Sequence, residues 1–129
     1  LPGGMLEKGE SSQKAAIRET YEELGIEPQG INIIGPLTPF YIPVSGFNVF
    51  PFVGWIAKCP TLEIQSKEVS KVFAPSVSSL MNPQNKKIKR SIMLGQKVEI
   101  PYFSLNNEIV WGATSMILSE FKSIVEGIK

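Results

Sequence analysis

Residues 4–26 read GMLEKGESSQKAAIRETYEELGI, and the interpretation of the whole chain depends on this stretch. Ser11 or Ser12 can cap a helix, because a serine oxygen accepts hydrogen bonds from the first free N–H groups. Gly25 suits the left-handed position that ends a helix. Between them, apolar side chains recur near helical spacing and predict a buried stripe: Ala16, Ile17, Tyr21 and Leu24. The stretch therefore predicts a helix over residues 11–24.

Three glutamates crowd the last turns of this predicted helix. Glu19 is three residues from Glu22 and four from Glu23, so the three carboxylates project in much the same direction. Left unpaired, like charges at this spacing cost about 0.2–0.5 kcal/mol per pair, and the helix dipole disfavours negative charge at this end. A divalent cation would reverse both effects, since Mg²⁺ and Mn²⁺ take oxygen ligands. The spacing alone also fits a solvated acidic face, so two interpretations stand side by side.

Composition narrows the chemistry that the chain can perform. It has 129 residues, a net charge of +1, one cysteine and no histidine. Cys59 by itself cannot form an internal disulfide or a cysteine-based zinc site, and the lack of histidine removes Ser-His-Asp triads and His-ligated metals. The near-neutral charge argues against bulk electrostatic binding of nucleic acid or membrane. We expect one folded domain in a reducing compartment, the cytoplasm.

The middle of the chain has the pattern of short strands. Residues 31–42 are β-branched and aromatic but are broken by Gly35-Pro36, which predicts two short strands or one kinked strand. Residues 47–58 predict a mostly buried strand, with Pro51 at a bulge or an unpaired edge position. Residues 69–73 suggest a further strand. The polar residues between these predicted strands indicate loops.

The last third of the chain predicts a hairpin followed by a long helix. Residues 76–80 suggest a short helix entered at a proline. Residues 88–93 and 97–103 pair naturally across a turn at Leu94-Gly95-Gln96. Leu105-Asn106-Asn107 is then expected to turn the chain into a last helix over residues 109–127. The order of helix, strands, short helix, hairpin and long helix predicts a mixed α/β layer structure.

The opening stretch also resembles the Nudix signature G-x5-E-x7-R-E-U-x-E-E-x-G-U, in which U is a bulky aliphatic residue. Matching residues stand at the required spacing: Gly4, Glu10, Arg18, Glu19, Glu22, Glu23, Gly25 and Ile26. Thr20 departs from the pattern at the first U, although its methyl group can still pack. On these residues the chain is identified as a member of the Nudix hydrolase family.

This resemblance implies a role for each acidic residue. Glu19, Glu22 and Glu23 are implied to bind Mg²⁺ or Mn²⁺, with the carbonyl of Gly3 or Gly4 as a further ligand. A glutamate serves as general base in this family, either from the helix or from a later loop. Its candidates here are Glu22, Glu23 and Glu68, and for Glu68 a plain surface carboxylate is an equal alternative.

The resemblance assigns the remaining charged residues of the signature to structure. Glu10 and Arg18 are implied to form the buried ion pair that fixes the loop to the helix. The expected fold is an α/β/α sandwich with a mixed β-sheet, and the expected domain is a single Nudix domain over residues 1–129 with its signature at residues 4–26. Because the chain opens at Leu1 without an initiator methionine, we expect it to be N-terminally incomplete and to lack the first strands of that sheet.

Outside the signature, three segments resemble the coenzyme A pyrophosphatase branch of the family: PFYIPVSGFNVFPFVGWI, KEVSKVFAPSVSSLMNP and EIVWGATSMIL. This resemblance implies an enzyme that hydrolyses a phosphoric anhydride bond in coenzyme A or acyl-CoA, releasing 3′,5′-ADP and (acyl-)4′-phosphopantetheine. One alternative keeps the chemistry and changes the substrate to ADP-ribose, another nucleoside diphosphate derivative or a nucleoside triphosphate. A second alternative is a ligand-sensing Nudix module without catalysis.

Residues that bind the organic part of a substrate are not identified by the sequence. Four aromatic residues could stack on adenine but are more often core at such positions: Phe40, Tyr41, Phe47 and Phe50. Four basic residues could meet phosphates but fit a solvated hairpin arm better: Lys86, Lys87, Lys89 and Arg90. The expected partner is a nucleotide-containing small molecule, with no nucleic acid and no membrane, and a homodimer is left open.

Overall fold

The computed structural model describes residues 1–65, 67 and 69–128, and it has the α/β fold expected of the chain. The chain divides into two compact units, Leu1–Val72 and Phe73–Lys129. Helices and strands occur in both units. Among the described residues every strand pair is antiparallel, and the strands form three separate sheets.

The first unit begins with helix α1, Ser12–Leu24, and continues through a short 3-10 turn at Pro28–Gly30. Four short strands follow it: β1 Asn32–Pro36, β2 Phe40–Ile42, β3 Phe47–Val49 and β4 Phe52–Trp55. Strand β1 pairs with β4, and β2 pairs with β3. Of the two alternatives predicted over residues 31–42, two short strands or one kinked strand, the structure has the two short strands.

The single buried strand predicted over residues 47–58 is wrong, because the chain is divided at Phe50-Pro51 into β3 and β4. Proline has no N–H to donate to a sheet. The carbonyl of Pro51 instead accepts a hydrogen bond from the N–H of Leu37 at 2.9 Å. Leu37 is buried. The break therefore anchors the link between β1 and β2.

In the second unit, helix α2, Val77–Met81, is followed by a 3-10 turn and three strands. Helix α3, Gly112–Glu126, follows the last strand. The strands are β5 Lys86–Met93, β6 Gln96–Leu105 and β7 Glu108–Val110, with β6 in the centre of the sheet. The predicted short helix and the predicted hairpin are both confirmed. Leu94 and Gly95 both have positive φ, 50° and 76°, as a two-residue hairpin turn requires.

Two predictions in the second half of the chain are wrong. The turn after β6 does not lead directly into the last helix, because Asn106 and Asn107 adopt positive φ and fold β7 back onto β6. Asparagine tolerates this left-handed conformation better than most residues. The segment 69–73 forms no strand in the described residues. Phe73 is partly buried because it packs against the core of the second unit, not because it pairs in a sheet.

The core of the second unit is formed by Leu80, Phe103 and Leu105. Partly buried side chains pack around it from Phe73, Val110, Leu118 and Phe121. In the first unit Ala15, Ile26 and Leu37 are buried. In the described part of the chain, no helix is both long enough and apolar enough to cross a membrane.

Candidate active site

Helix α1 holds the three glutamates of the signature in its last turns, and both of its ends are capped. The hydroxyl of Ser11 accepts a hydrogen bond from the N–H of Lys14 at 3.2 Å. At the other end Gly25 adopts a φ of 71°, and its N–H donates to the carbonyl of Tyr21 at 2.8 Å. These caps confirm the predicted start and end of the helix. The predicted buried stripe is wrong at Tyr21, whose side chain is exposed.

A later loop is hydrogen-bonded to the C-terminal end of α1. The N–H of Glu63 donates to the carbonyl of Leu24 at 2.8 Å, and the N–H of Gln65 donates to the carbonyl of Glu23 at 3.0 Å. These bonds pair helix carbonyls that have no partner within the helix itself. The N–H of Val69 donates to the carbonyl of Gln65 at 2.9 Å. Glu68, the loop candidate for a general base, lies outside the described residues.

The loop that precedes α1 is closed by two hydrogen bonds between Glu7 and Glu10. The N–H of Glu10 donates to the carbonyl of Glu7, and the N–H of Glu7 donates to Oε1 of Glu10, both at 3.0 Å. Gly9 adopts a φ of 76°, which glycine reaches without steric cost. The turn thus presents the carboxylate of Glu10 to the helix.

Arg18 joins this loop to the helix through both edges of its guanidinium group. On one edge, Nε donates to Oε2 of Glu10 at 2.8 Å, and Nη2 donates to Oε1 of Glu10 at 3.0 Å and to the carbonyl of Met5 at 2.9 Å. On the other edge, Nη1 donates to Oε1 of Glu19 at 2.9 Å and to Oε2 of Glu22 at 3.0 Å. The structure therefore brings together Glu10 and Arg18, and it adds two of the three helix glutamates to that pair.

These contacts shift the pKa values of Arg18 and Glu10. Hydrogen bonding to Glu10, with further bonds to Glu19 and Glu22, raises the pKa of Arg18. Hydrogen bonding from Arg18, and then from the backbone of Glu7, lowers the pKa of Glu10. Each group stabilises the charged form of the other. The pair is partly buried, with 21% of the Arg18 side chain and 13% of the Glu10 side chain exposed.

The two glycines at the start of the chain lie beside the other signature glutamates. The N–H of Gly3 donates to Oε2 of Glu23 at 3.4 Å. Gly4 leaves no room for a side chain, because a Cβ atom there would collide with the carboxyl group of Glu19. Glycine at position 4 therefore allows the backbone to approach the Glu19 carboxylate closely.

The residues at this end of α1 fit a divalent cation by the chemistry of their donors. Glu19, Glu22 and Glu23 supply carboxylate oxygens, which Mg²⁺ and Mn²⁺ prefer, and the absence of a Cβ at Gly4 lets the backbone lie against the carboxyl group of Glu19. Within the described ranges no three His, Cys, Asp or Glu side chains are already arranged to hold a metal ion. The guanidinium of Arg18 forms ion pairs with both Glu19 and Glu22 and supplies the positive charge beside them.

Some contacts of this site were not predicted from the sequence. The side chain of Met5 is exposed, and its carbonyl accepts a hydrogen bond from Arg18. Glu7 lies 3.7 Å from Nη1 of Arg18. A backbone carbonyl contact carries no side-chain signal, so only the three-dimensional structure reveals the role of Met5. The loop that caps Glu23 and Leu24 also bonds through backbone groups and was missed for the same reason.

The aromatic and the basic residues considered for substrate binding lie in different units of the chain. The expectation that the strand aromatics are core is wrong for Tyr41, Phe47 and Phe50, whose side chains are each about half exposed. The basic residues of the hairpin are all exposed along β5, as expected for a solvated arm. These basic residues belong to the second unit, whereas the glutamates of α1 belong to the first.

Comparison with known proteins places the signature in a family. The family model described as the NUDIX domain matches residues 1–94. A protein named Nudix hydrolase 3 from Caenorhabditis elegans is 30% identical over 93% of this chain and 57% of its own length. Two proteins named uncharacterised Nudix hydrolase NudL are also similar. The protein from Photorhabdus laumondii is 26% identical over 98% of this chain and 67% of its own. The protein from Salmonella paratyphi B is 32% identical over 93% and 62%.

A Nudix fold, with the signature residues gathered around the end of α1, thus defines the class of this protein. The chain belongs to the Nudix family, because the family model covers well over half of its length. It spans between 57% and 67% of the length of these three relatives.

Proposed function

We propose that this protein is a metal-dependent Nudix pyrophosphohydrolase that cleaves the diphosphate of coenzyme A or acyl-CoA. The observation that carries the proposal is the arrangement at the end of α1. All the signature carboxylates are present there, and Arg18 ties Glu10, Glu19 and Glu22 into one cluster. The names of the relatives support a hydrolase. The segments that resemble the coenzyme A branch support the choice of substrate.

In this proposal Glu19, Glu22 and Glu23 hold the metal, with the backbone of Gly3 and Gly4 beside them. A bound Mg²⁺ or Mn²⁺ would neutralise charge on the diphosphate and polarise its phosphoryl oxygens. Holding the carboxylates on one rigid helix turn fixes the geometry in which the substrate diphosphate is bound.

Proton transfer is assigned to a carboxylate, because the chain has no histidine. A water molecule forms a new bond to one phosphorus, and the anhydride P–O bond to the other phosphate breaks. The general base takes a proton from the attacking water. Glu22 and Glu23 on the helix, and Glu68 later in the sequence, are the candidates for this role.

The products would be 3′,5′-ADP and (acyl-)4′-phosphopantetheine. The exposed faces of Tyr41, Phe47 and Phe50 offer surfaces on which an adenine ring could stack. One alternative is hydrolysis of ADP-ribose, another nucleoside diphosphate derivative or a nucleoside triphosphate. The other alternative is a sensing module that binds such a ligand but does not cleave it.

Side-by-side turnover of coenzyme A, acetyl-CoA, ADP-ribose and ATP with Mg²⁺ or Mn²⁺ tests the proposal. We expect release of 3′,5′-ADP from the two coenzyme A substrates. Cleavage of ADP-ribose without cleavage of coenzyme A would overturn the substrate, and binding without cleavage of any of them would favour the sensing module.

Glu22→Gln tests the metal and catalytic roles in the same assay, because it keeps the shape of the side chain and removes its charge. We expect kcat to fall at least ~100-fold. Near-normal kcat in this variant would refute the assignment of Glu22. Lys87→Ala, on the exposed hairpin, is the control, and we expect little change in kcat.

A further inference from the structure

The contacts of Arg18 divide its guanidinium group into two halves with different partners. Nε and Nη2 bind the loop, through both oxygens of Glu10 and the carbonyl of Met5. Nη1 donates hydrogen bonds to the helix carboxylates of Glu19 and Glu22, and its contact with Glu7 of the loop is a longer ion pair at 3.7 Å. The first half forms a bidentate pair with fixed geometry. The second half could lose its partners without releasing the loop.

The charge around Arg18 is far from balanced. Four described carboxylates lie within 4 Å of its nitrogen atoms: those of Glu7, Glu10, Glu19 and Glu22. One guanidinium carries a single positive charge against them. Without a metal ion, Arg18 is the cation that relieves the repulsion between Glu19 and Glu22. The cluster still has excess negative charge, which would attract a second cation.

The Nη1 atom and a metal ion would compete for the same carboxylate oxygens. Oε1 of Glu19 and Oε2 of Glu22 lie 2.9 and 3.0 Å from Nη1. Mg²⁺ binds carboxylate oxygens at about 2.1 Å. An ion bound to these two oxygens would lie within roughly 5 Å of the guanidinium nitrogen, and the two cations would repel each other.

We propose that Arg18 is an internal counter-cation that a divalent ion displaces from Glu19 and Glu22, while Arg18 keeps its bonds to Glu10 and Met5. This inference rests on the proposed function, because it assumes that the metal binds at the end of α1. Metal binding then changes the partners of Nη1 alone. The loop stays attached to the helix, and the glutamates remain paired with a cation whether or not metal is bound.

The first test measures the Kd of Mn²⁺ for the full chain by isothermal titration calorimetry at low ionic strength. Arg18→Gln removes the competing cation, so we expect its Kd to fall roughly tenfold. Lys14→Gln removes the same charge one turn earlier, at an exposed position, and we expect a change of no more than about twofold. An unchanged or weaker affinity in Arg18→Gln is what a purely structural role predicts, and it would overturn the proposal.

The second test uses the unaltered protein, so it does not depend on how a variant folds. The chain has only two arginines, Arg18 and Arg90, and Arg90 is 88% exposed. Their guanidinium NMR signals can be assigned with Arg90→Lys and followed during a Mg²⁺ titration. We expect solvent exchange at Nη1 of Arg18 to accelerate while its Nε–H signal persists. No change at Nη1 at saturating Mg²⁺ would mean that the ion uses other oxygens, and the proposal would be wrong.

Glu22→Gln separates failure of this inference from failure of the proposed function. If the unaltered chain binds Mn²⁺ and Glu22→Gln weakens that binding, the metal site stands and the Arg18 measurements decide the counter-cation role. If Glu22→Gln binds Mn²⁺ as the unaltered chain does, the site is elsewhere, and both proposals are overturned.

Discussion

At the scale of single residues, the site depends on how closely the N-terminal backbone approaches the helix carboxylates. Gly4 faces the carboxyl group of Glu19 with no room for a Cβ atom, whereas a Cβ atom at Gly3 would meet nothing within 4 Å. Neither glycine has a positive φ. The two positions therefore differ in local space and not in backbone strain.

Gly4→Ala is expected to weaken metal binding by displacing the carboxylate of Glu19. We expect the Kd for Mn²⁺, measured by calorimetry, to rise roughly 10–100-fold, as for loss of a group that orients a metal ligand. Gly3→Ala keeps the N–H that bonds Glu23, and its Kd should stay within about twofold of the unaltered value. Equal effects of the two substitutions would show that Glu19 is not positioned by this contact.

Glu10 makes the stability of the metal-free protein depend on pH. Its pKa is lowered in the folded state by Arg18, so its ion pair stabilises the fold above the ordinary carboxyl pKa and is lost as pH falls through the lowered pKa. Without metal, we expect the Tm of Glu10→Gln to lie below that of the unaltered chain at neutral pH. The gap should narrow below about pH 5. A gap that does not change between pH 7 and about pH 3 would contradict the ion-pair role.

At the scale of elements, helix α1 is held at both ends by loops that belong to the site. Arg18 binds the loop before the helix through Glu10 and Met5. The loop after β4 binds the last carbonyls of the helix through the N–H groups of Glu63 and Gln65. The crowded glutamates thus lie between two anchored segments, which restricts how far the helix end can move.

Gly25, at the end of α1, is the position at which the attachment of the later loop to the helix can be tested. It combines a φ of 71° with a Cβ position 2.6 Å from Cβ of Glu63. Gly46 has a similar φ of 73° but open space around it, so Gly46→Ala measures the backbone strain alone, about 1–2 kcal/mol. Gly25→Ala should lower the free energy of unfolding by roughly 1 kcal/mol more, because the Glu63 to Leu24 hydrogen bond is also disturbed. Urea denaturation measures both, and equal losses would show that the loop yields freely.

At the scale of the whole molecule, the chain has two compact units with separate buried residues. The signature and its ion pairs lie in the first unit, whereas the largest fully buried side chains, Phe103 and Leu105, lie in the second. Among the described residues, only a small set of side chains is buried in either unit. A single large-to-small substitution should therefore affect stability strongly.

Phe103→Ala is expected to lower the free energy of unfolding by about 3–5 kcal/mol, because it empties the centre of the second unit. Ile92→Ala is the control on the adjacent strand, since the side chain of Ile92 is exposed, and its effect should stay within about 0.5 kcal/mol. Urea denaturation followed by circular dichroism measures both values. A loss below about 1 kcal/mol for Phe103→Ala would show that this core contributes little to folding.

The sequence predicted best those features that depend on local chemistry. Ser11 and Gly25 marked the ends of α1 because capping needs a serine oxygen and a left-handed residue in those places. The hairpin of β5 and β6 followed from alternating strands around a turn. The single strand over residues 47–58 was predicted incorrectly because Pro51 divides it into two strands and not merely into a bulge or an edge position. The last helix was predicted to begin too early because Asn106-Asn107 forms a hairpin turn that leads into β7.

By itself the sequence determined the family and the set of carboxylates, because the Nudix signature consists of residue types at fixed spacings and helical geometry puts Glu19, Glu22 and Glu23 on neighbouring faces. Only the tertiary structure decided which of those carboxylates Arg18 holds. A guanidinium can bind several acids within its reach, and its choice depends on where the folded loop places Glu10 and Met5. The same holds for the loop that caps the helix end, since its contacts are made by backbone groups that every residue carries.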